Sequence, residues 1–263
     1  MQKETNLRTS ILCVLLATAG VALAAGRGQA TPSSTDWTPM TPDIQSDGVL
    51  HIGVDNYFTV LRDAADGGGA FPTDAGLTLG ILPFAKVGLE VGVDLLEATD
   101  DPLYFNAKAG VPEDALFRGS PTLQLGVFNV GTKSKVTNQD IAYVVVGKSL
   151  PGVGRFSAGP YIGNPDLLVN RKGEKENTGF MVAFDRGFGP ASDASGGDYN
   201  RFVLAADYAS GKNVFGAGGA GGYYYFTKDI SLLTGPVWFN EERINGRWKW
   251  TVQLDINRAV CGR

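Results

Sequence analysis

Residues 77–97 read LTLGILPFAKVGLEVGVDLLE. In the second half Val87, Leu89, Val91, Val93 and Leu95 alternate with Lys86, Gly88, Glu90, Gly92 and Asp94. Side chains of a strand point to opposite faces in turn, so one face of this run is wholly aliphatic and the other carries charge or glycine. The turn LPFAK (82–86) joins it to an earlier run, where Leu77, Leu79 and Ile81 alternate with Gly76, Thr78 and Gly80. The stretch reads as a β-hairpin with one face for an apolar medium and one for water. Whether that medium is a protein core or a bilayer decides the fold.

The same alternation recurs along the chain. Leu50, Ile52, Val54 and Phe58 oppose His51, Asp55 and Tyr57; Leu103, Phe105 and Ala107 oppose Tyr104, Asn106 and Lys108; Leu123, Leu125 and Val127 oppose Thr122, Gln124 and Gly126. Phe156, Ala158 and Ile162 oppose Arg155, Ser157 and Tyr161, and Phe180, Val182 and Phe184 oppose Met181, Ala183 and Asp185. Phe202, Leu204 and Tyr208 oppose Arg201, Val203 and Asp207; Trp248, Trp250, Val252 and Leu254 oppose Lys249, Thr251, Gln253 and Asp255. Residues 141–148 (IAYVVVGK) are apolar on both faces, so their facing is ambiguous. With the runs at 213–226 and 230–239, the pattern predicts about twelve strands over residues 48–257, the last ending at Ile256-Asn257.

Composition agrees. The chain has 263 residues, 36 of them glycine, and only 19% are charged, which suits a sheet protein rich in turns. A net charge of −4 argues against nucleic acid as a partner, because phosphate binding needs a basic surface.

Lys3 and Arg8 precede an apolar run from Ile11 to Ala25 that closes on Ala22-Leu23-Ala24, the pattern of a cleaved export signal over residues 1–25. Residues 26–47, rich in Pro, Ser and Thr and without periodicity, read as a flexible lead-in; 258–263 form a tail. Cys13 lies in the signal, which leaves Cys261 alone and excludes an intrachain disulfide. After the signal no apolar run is long enough for a transmembrane helix, so a membrane-embedded mature chain must be a closed barrel.

Connections differ in length. Short ones at 82–86, 149–154 and 227–229 recur every fourth strand, and longer polar ones at 62–74, 131–139 and 164–177 fall on the other end; 110–120 and 187–199 break this rule. The hairpins at 77–97, 141–164 and 222–241 share a layout, and AGPYIGNPD (158–166) and TGPVWFNEE (234–242) share a Gly-Pro followed by an Asn. Three copies of a four-strand unit, beginning near residues 49, 122 and 201, would explain both. Pro160 and Pro236 fall inside these strands, where each removes a ladder donor and calls for a bulge or a shortened strand.

Three features select lipid over core. The apolar faces carry almost no charge, whereas soluble edge strands carry protective Lys or Pro. Glycine is frequent on the polar face, where a crowded lumen needs small residues. Aromatics gather at run ends (Tyr57-Phe58, Tyr223 to Phe226, Trp248 with Trp250), as in interfacial girdles. On these residues the chain resembles bacterial outer-membrane β-barrels of the porin-like class, without a motif specific to one family. The resemblance implies a closed antiparallel up-and-down transmembrane barrel in the outer membrane, embedded in its lipid and passing small hydrophilic solutes. The tail RAVCGR, in place of a terminal Phe or Trp, departs from that class.

Inward-facing candidates are then Asp55, Tyr57, Lys86, Glu90, Asp94, Lys108, Arg155, Tyr161, Asp185, Arg201, Asp207, Lys249 and Asp255. Their six acids against five bases predict an ion-paired lumen or a pore with opposite walls rather than a strongly selective one. Twelve strands spaced about 4.7 Å and tilted about 40° make a backbone cylinder about 24 Å wide, hence a narrow channel. A non-conducting structural or accessory barrel with envelope protein partners is the alternative. A further alternative, a lipid-modifying barrel enzyme, would have to use the single His51, a residue better suited to lumen hydrogen bonding. No cofactor or metal is expected; Glu97, Asp100 and Asp101 read as solvated loop charge rather than a calcium site. GAGGAGG (216–222) lacks the Lys and helix of a phosphate loop.

Overall fold

The computed structural model describes residues 36–96, 101–194 and 196–260. The expected export signal and the end of the tail lie outside these. Twelve antiparallel strands close into a barrel in which each pairs with its sequence neighbours and β1 pairs with β12. They are β1 (Val49–Phe58), β2 (Asp74–Gly80), β3 (Gly88–Leu96), β4 (Leu103–Val111), β5 (Thr122–Gly131) and β6 (Ile141–Leu150). The ring continues through β7 (Gly154–Ile162), β8 (Thr178–Ser192), β9 (Asp198–Ala209), β10 (Ala217–Thr227), β11 (Ile230–Phe239) and β12 (Lys249–Ala259). The last strand runs past the expected Asn257, and Ala259 pairs with Val49 to seal the seam.

Polarity is inverted relative to a soluble domain. On β5 Leu125 is 63% exposed while Gln124 beside it is 1% exposed. The same phase holds in the opening hairpin, where Leu77, Val91 and Leu95 face outward and Thr78 and Glu90 are buried. Phe156, Phe180, Phe202 and Leu204 extend the apolar exterior around the ring. Such a surface is stable against hydrocarbon, because the strands pair all the way around the closed ring with only local interruptions of the ladder. The ambiguous β6 turns Ile141, Tyr143 and Val145 inward, where they pack with Met40, Leu168, Met181 and Phe215.

The two rims differ. Connections 81–87, 151–153, 193–197 and 228–229 form the turn end, with 112–121 the longest there; 59–73, 132–140, 163–177, 210–216 and 240–248 form the loop end. The expected long connection at 187–199 is mostly strand, because β8 and β9 stay paired out to Ser192 and Asp198. The three look-alike hairpins are β2–β3, β6–β7 and β10–β11, spaced around the ring.

Pro160 and Pro236 act alike. Pro160 pairs with Phe180 on β8, but the β6–β7 ladder skips from Tyr161 to Ala158. Pro236 pairs with Trp250 on β12, while the β10–β11 ladder skips from Val237 to Thr234. Each proline leaves its missing N–H on the gap side, so the strand continues with the ladder interrupted on one flank only. The preceding glycine makes this possible: a Cβ at Gly159 would lie 1.8 Å from the Val144 carbonyl oxygen, and one at Gly235 2.1 Å from that of Ala220.

Candidate functional site: a lumen filled by the chain's own N-terminal segment

Most of the expected lumen residues line the interior, and they are tied to one another. Glu90 faces Lys108 at 3.4 Å across the β3–β4 pair. Arg155 on β7 meets Asp185 on β8 at 3.0 Å. His51 lies 3.4 Å from Asp255 through Nε2 and 3.1 Å from the Asn257 amide oxygen through Nδ1, so both ring nitrogens are occupied. The Tyr161 hydroxyl donates to the Ser210 carbonyl at 2.6 Å, and its ring stands edge-on to Phe215. Asp94 accepts a hydrogen bond from Asn106. Lys249 places its ammonium 4.4 Å above the ring of Phe71, a cation–π contact at the loop end.

Two expected members are elsewhere. Lys86 is exposed in the turn 81–87, because β3 begins only at Gly88 and the alternation runs on beyond the strand. Arg201 is exposed near the turn end of β9. Asp74, first residue of β2 and cross-strand partner of Asp55, joins the wall instead. The inward carboxylates are thus Asp55, Asp74, Glu90, Asp94, Asp185, Asp207 and Asp255, against Lys108, Arg155, Lys249 and the titratable His51. The near balance expected from sequence gives way to an acidic wall. Glu90, Asp185 and Asp255 have basic partners, whereas Asp55, Asp74, Asp94 and Asp207 lie toward the loop end. Among the described residues, one oxygen of Asp74 is buried without a hydrogen-bond partner. Asp101 pairs with Lys133 at 2.8 Å, and residues 97–100 of the acidic stretch lie outside the described residues.

Residues 36–47, expected within a flexible lead-in, run inside the barrel. Asp36, Thr38, Met40 and Thr41 are fully buried. Trp37 packs edge-on against Tyr57 and Phe239, with Phe71 beside them, at the loop end. The Trp37 and Thr38 amides donate to Asp207, at 2.9 and 2.6 Å. The Asp36 carbonyl accepts from the Tyr57 hydroxyl and the Gln253 amide. Further along, Ser157 donates to the Met40 carbonyl at 2.6 Å, Gln124 to that of Pro42, and Arg155 to both oxygens of Asp43 at 2.8 Å. Near the turn end the Gln45 amide donates to Glu90 at 2.6 Å and its side chain to Asn257. Gly48 then turns the chain into β1. The segment therefore crosses the lumen from loop end to turn end, antiparallel to β1.

The polar composition that reads as solvated chain equally suits a polar lumen, which offers amides, hydroxyls and charges where a protein core would offer carbon. A Cβ at Gly219 would lie 2.3 Å from that of Asp36, one at Gly147 2.8 Å from the Pro42 ring, one at Gly88 2.9 Å from Ile44, and one at Gly80 2.1 Å from the Ser46 carbonyl. Glycines on β2, β3, β6 and β10 thus shape the wall to this segment. Beside it Thr78, Glu90, Gly92, Asn106, Lys108 and Tyr143 line a cavity of about 10 Å³, room for about one water molecule.

No protein-family model matches the sequence, and no curated protein does. Among solved structures, a mutant of the Rh. blastica porin is similar at 13% identity and a TM-score of 0.40, over 89% of this chain and 72% of the porin. An outer membrane channel from Pseudomonas putida F1 is similar at 8% identity and a TM-score of 0.44, over 82% of this chain and 96% of the channel. Similarity this distant carries no functional argument.

Proposed function

We propose that the protein is a bacterial outer-membrane β-barrel that passes small hydrophilic solutes along a narrow, cation-preferring path. The observation that carries this reading is the inversion of polarity around the ring, with Leu125-type residues outside and Gln124-type residues inside. A membrane pore needs this arrangement and a soluble domain cannot tolerate it. The difference between rims supports an orientation with short turns in the periplasm and long loops at the cell surface. The acidic wall supports cations over anions, since fixed charge of one sign raises the local concentration of the other.

A second reading, a non-conducting structural or accessory barrel of the envelope, draws on the lumen filled by residues 36–47. Planar-bilayer recording under a salt gradient separates them. Discrete steps with a cation-side reversal potential support the channel. A folded barrel that stays silent, and from which segment 36–47 has also been deleted, leaves the structural reading.

A further inference from the structure

We propose that residues 36–47 are a releasable plug, docked in a glycine-paved groove of the lumen wall and withdrawn toward the turn end, where Gly48 joins it to β1. That its release opens a conducting path rests on the channel reading above; the docking and release stand on the geometry alone.

Three properties mark the segment as a ligand of the barrel rather than part of its wall. Among the described residues it joins the sheet only through an isolated bridge between Asp47 and Gly80, so its departure leaves all twelve strands paired. It is held by side-chain bonds spread over separate strands, namely Asp207 on β9, Ser157 and Arg155 on β7, Gln124 on β5 and Glu90 on β3. Its groove is built to its shape by Gly80, Gly88, Gly147 and Gly219, whose side chains would otherwise occupy its atoms.

The fit is also incomplete, as suits a contact that must break. Asp36 is wholly buried beside Asp207, and among the described residues neither of its carboxylate oxygens has a hydrogen-bond partner. A buried carboxylate without partners opposes docking and favours withdrawal into water. That carboxylate and the Trp37 anchor are at the loop end, so anything acting from that side reaches them first.

The test places a cysteine at residue 40 (Met40→Cys, in a Cys261→Ser background) and measures labelling by a membrane-impermeant maleimide in reconstituted vesicles, alongside conductance. Docked, residue 40 is shielded. Gly147→Leu and Gly219→Leu fill the groove from the wall, and Asp43→Asn takes away the charge and one of the two hydrogen bonds by which Arg155 holds the segment, without adding bulk. Each is expected to raise labelling on the order of tenfold, as a shift of that size in the released population requires, while the barrel keeps its heat-modifiable migration. Equal labelling in the parent and all three variants, with the barrel intact, overturns the proposal. Raised labelling in a barrel that stays silent supports the plug and overturns the channel reading; raised labelling together with larger conductance supports both.

Discussion

Arg155 grips Asp43 with two parallel hydrogen bonds of 2.8 Å while its Nε reaches Asp185 at 3.0 Å. One guanidinium thus fastens the lumen segment to the barrel wall and ties β7 to β8. Planar bidentate pairing is what arginine does and lysine does not. Arg155→Ala leaves two carboxylates facing each other in a restricted space and is expected to cost about 3 kcal/mol. Arg155→Lys is expected to recover only part of that loss. Denaturant unfolding in detergent measures both.

Trp37 supplies the aromatic contact of the segment, between Tyr57, Phe71 and Phe239. Trp37→Ala is expected to weaken docking by about 3 kcal/mol, the scale of a buried aromatic truncation. Global unfolding is expected to move little, because no strand pairing involves this residue. Proteolysis near residue 40 against the global unfolding midpoint separates the two.

Asp55 and Asp74 are direct cross-strand partners, two acidic side chains that repel when both are ionised, an arrangement that opposes sheet stability. Asp55→Asn with Asp74→Asn is therefore expected to leave the barrel as stable or slightly more so. The same pair should shift the reversal potential toward zero in a salt gradient. An unchanged potential would remove these residues from the conduction path.

On the outside, Leu125 lies at the middle of β5 and is 63% exposed. Leu125→Arg is expected to cost about 2–4 kcal/mol of folding into vesicles, the penalty of a cation near the bilayer midplane. In a soluble protein the same substitution would be nearly neutral. Equilibrium folding into lipid vesicles makes the comparison.

How much of this was legible in sequence varies with what each residue faces. The hairpin at 77–97 was readable because its two faces meet media of opposite polarity, and period two follows directly. Residues 141–148 were not, because Ile141, Tyr143 and Val145 face an apolar part of the lumen, so both faces are apolar. Lys86 looked like a lumen residue because alternation continues into the turn after the ladder has ended. The shared Gly-Pro of β7 and β11 was visible, but its consequence, a gap on one flank of each strand, depends on the register of the neighbours.

The lumen segment was the least legible part. Pro, Ser and Thr without periodicity describe a solvated chain and a chain inside a polar barrel equally well. Trp37, Met40 and Ile44 were the signals against solvent, three apolar side chains in an otherwise polar stretch. Part of the site was hidden with it, since the hydrogen bonds of Gln124 and Ser157 to Pro42 and Met40 exist only once residues 36–47 are inside.

This barrel is turned inside out with respect to polarity. Nitroxide labels placed singly at residues 123 to 127 in reconstituted vesicles test that inversion most directly. Labels at 123, 125 and 127 should collide with lipid-dissolved oxygen and be shielded from an aqueous nickel chelate, while those at 124 and 126 should be poorly reached by oxygen. Loss of this alternation, or chelate access at residue 125, would contradict the account.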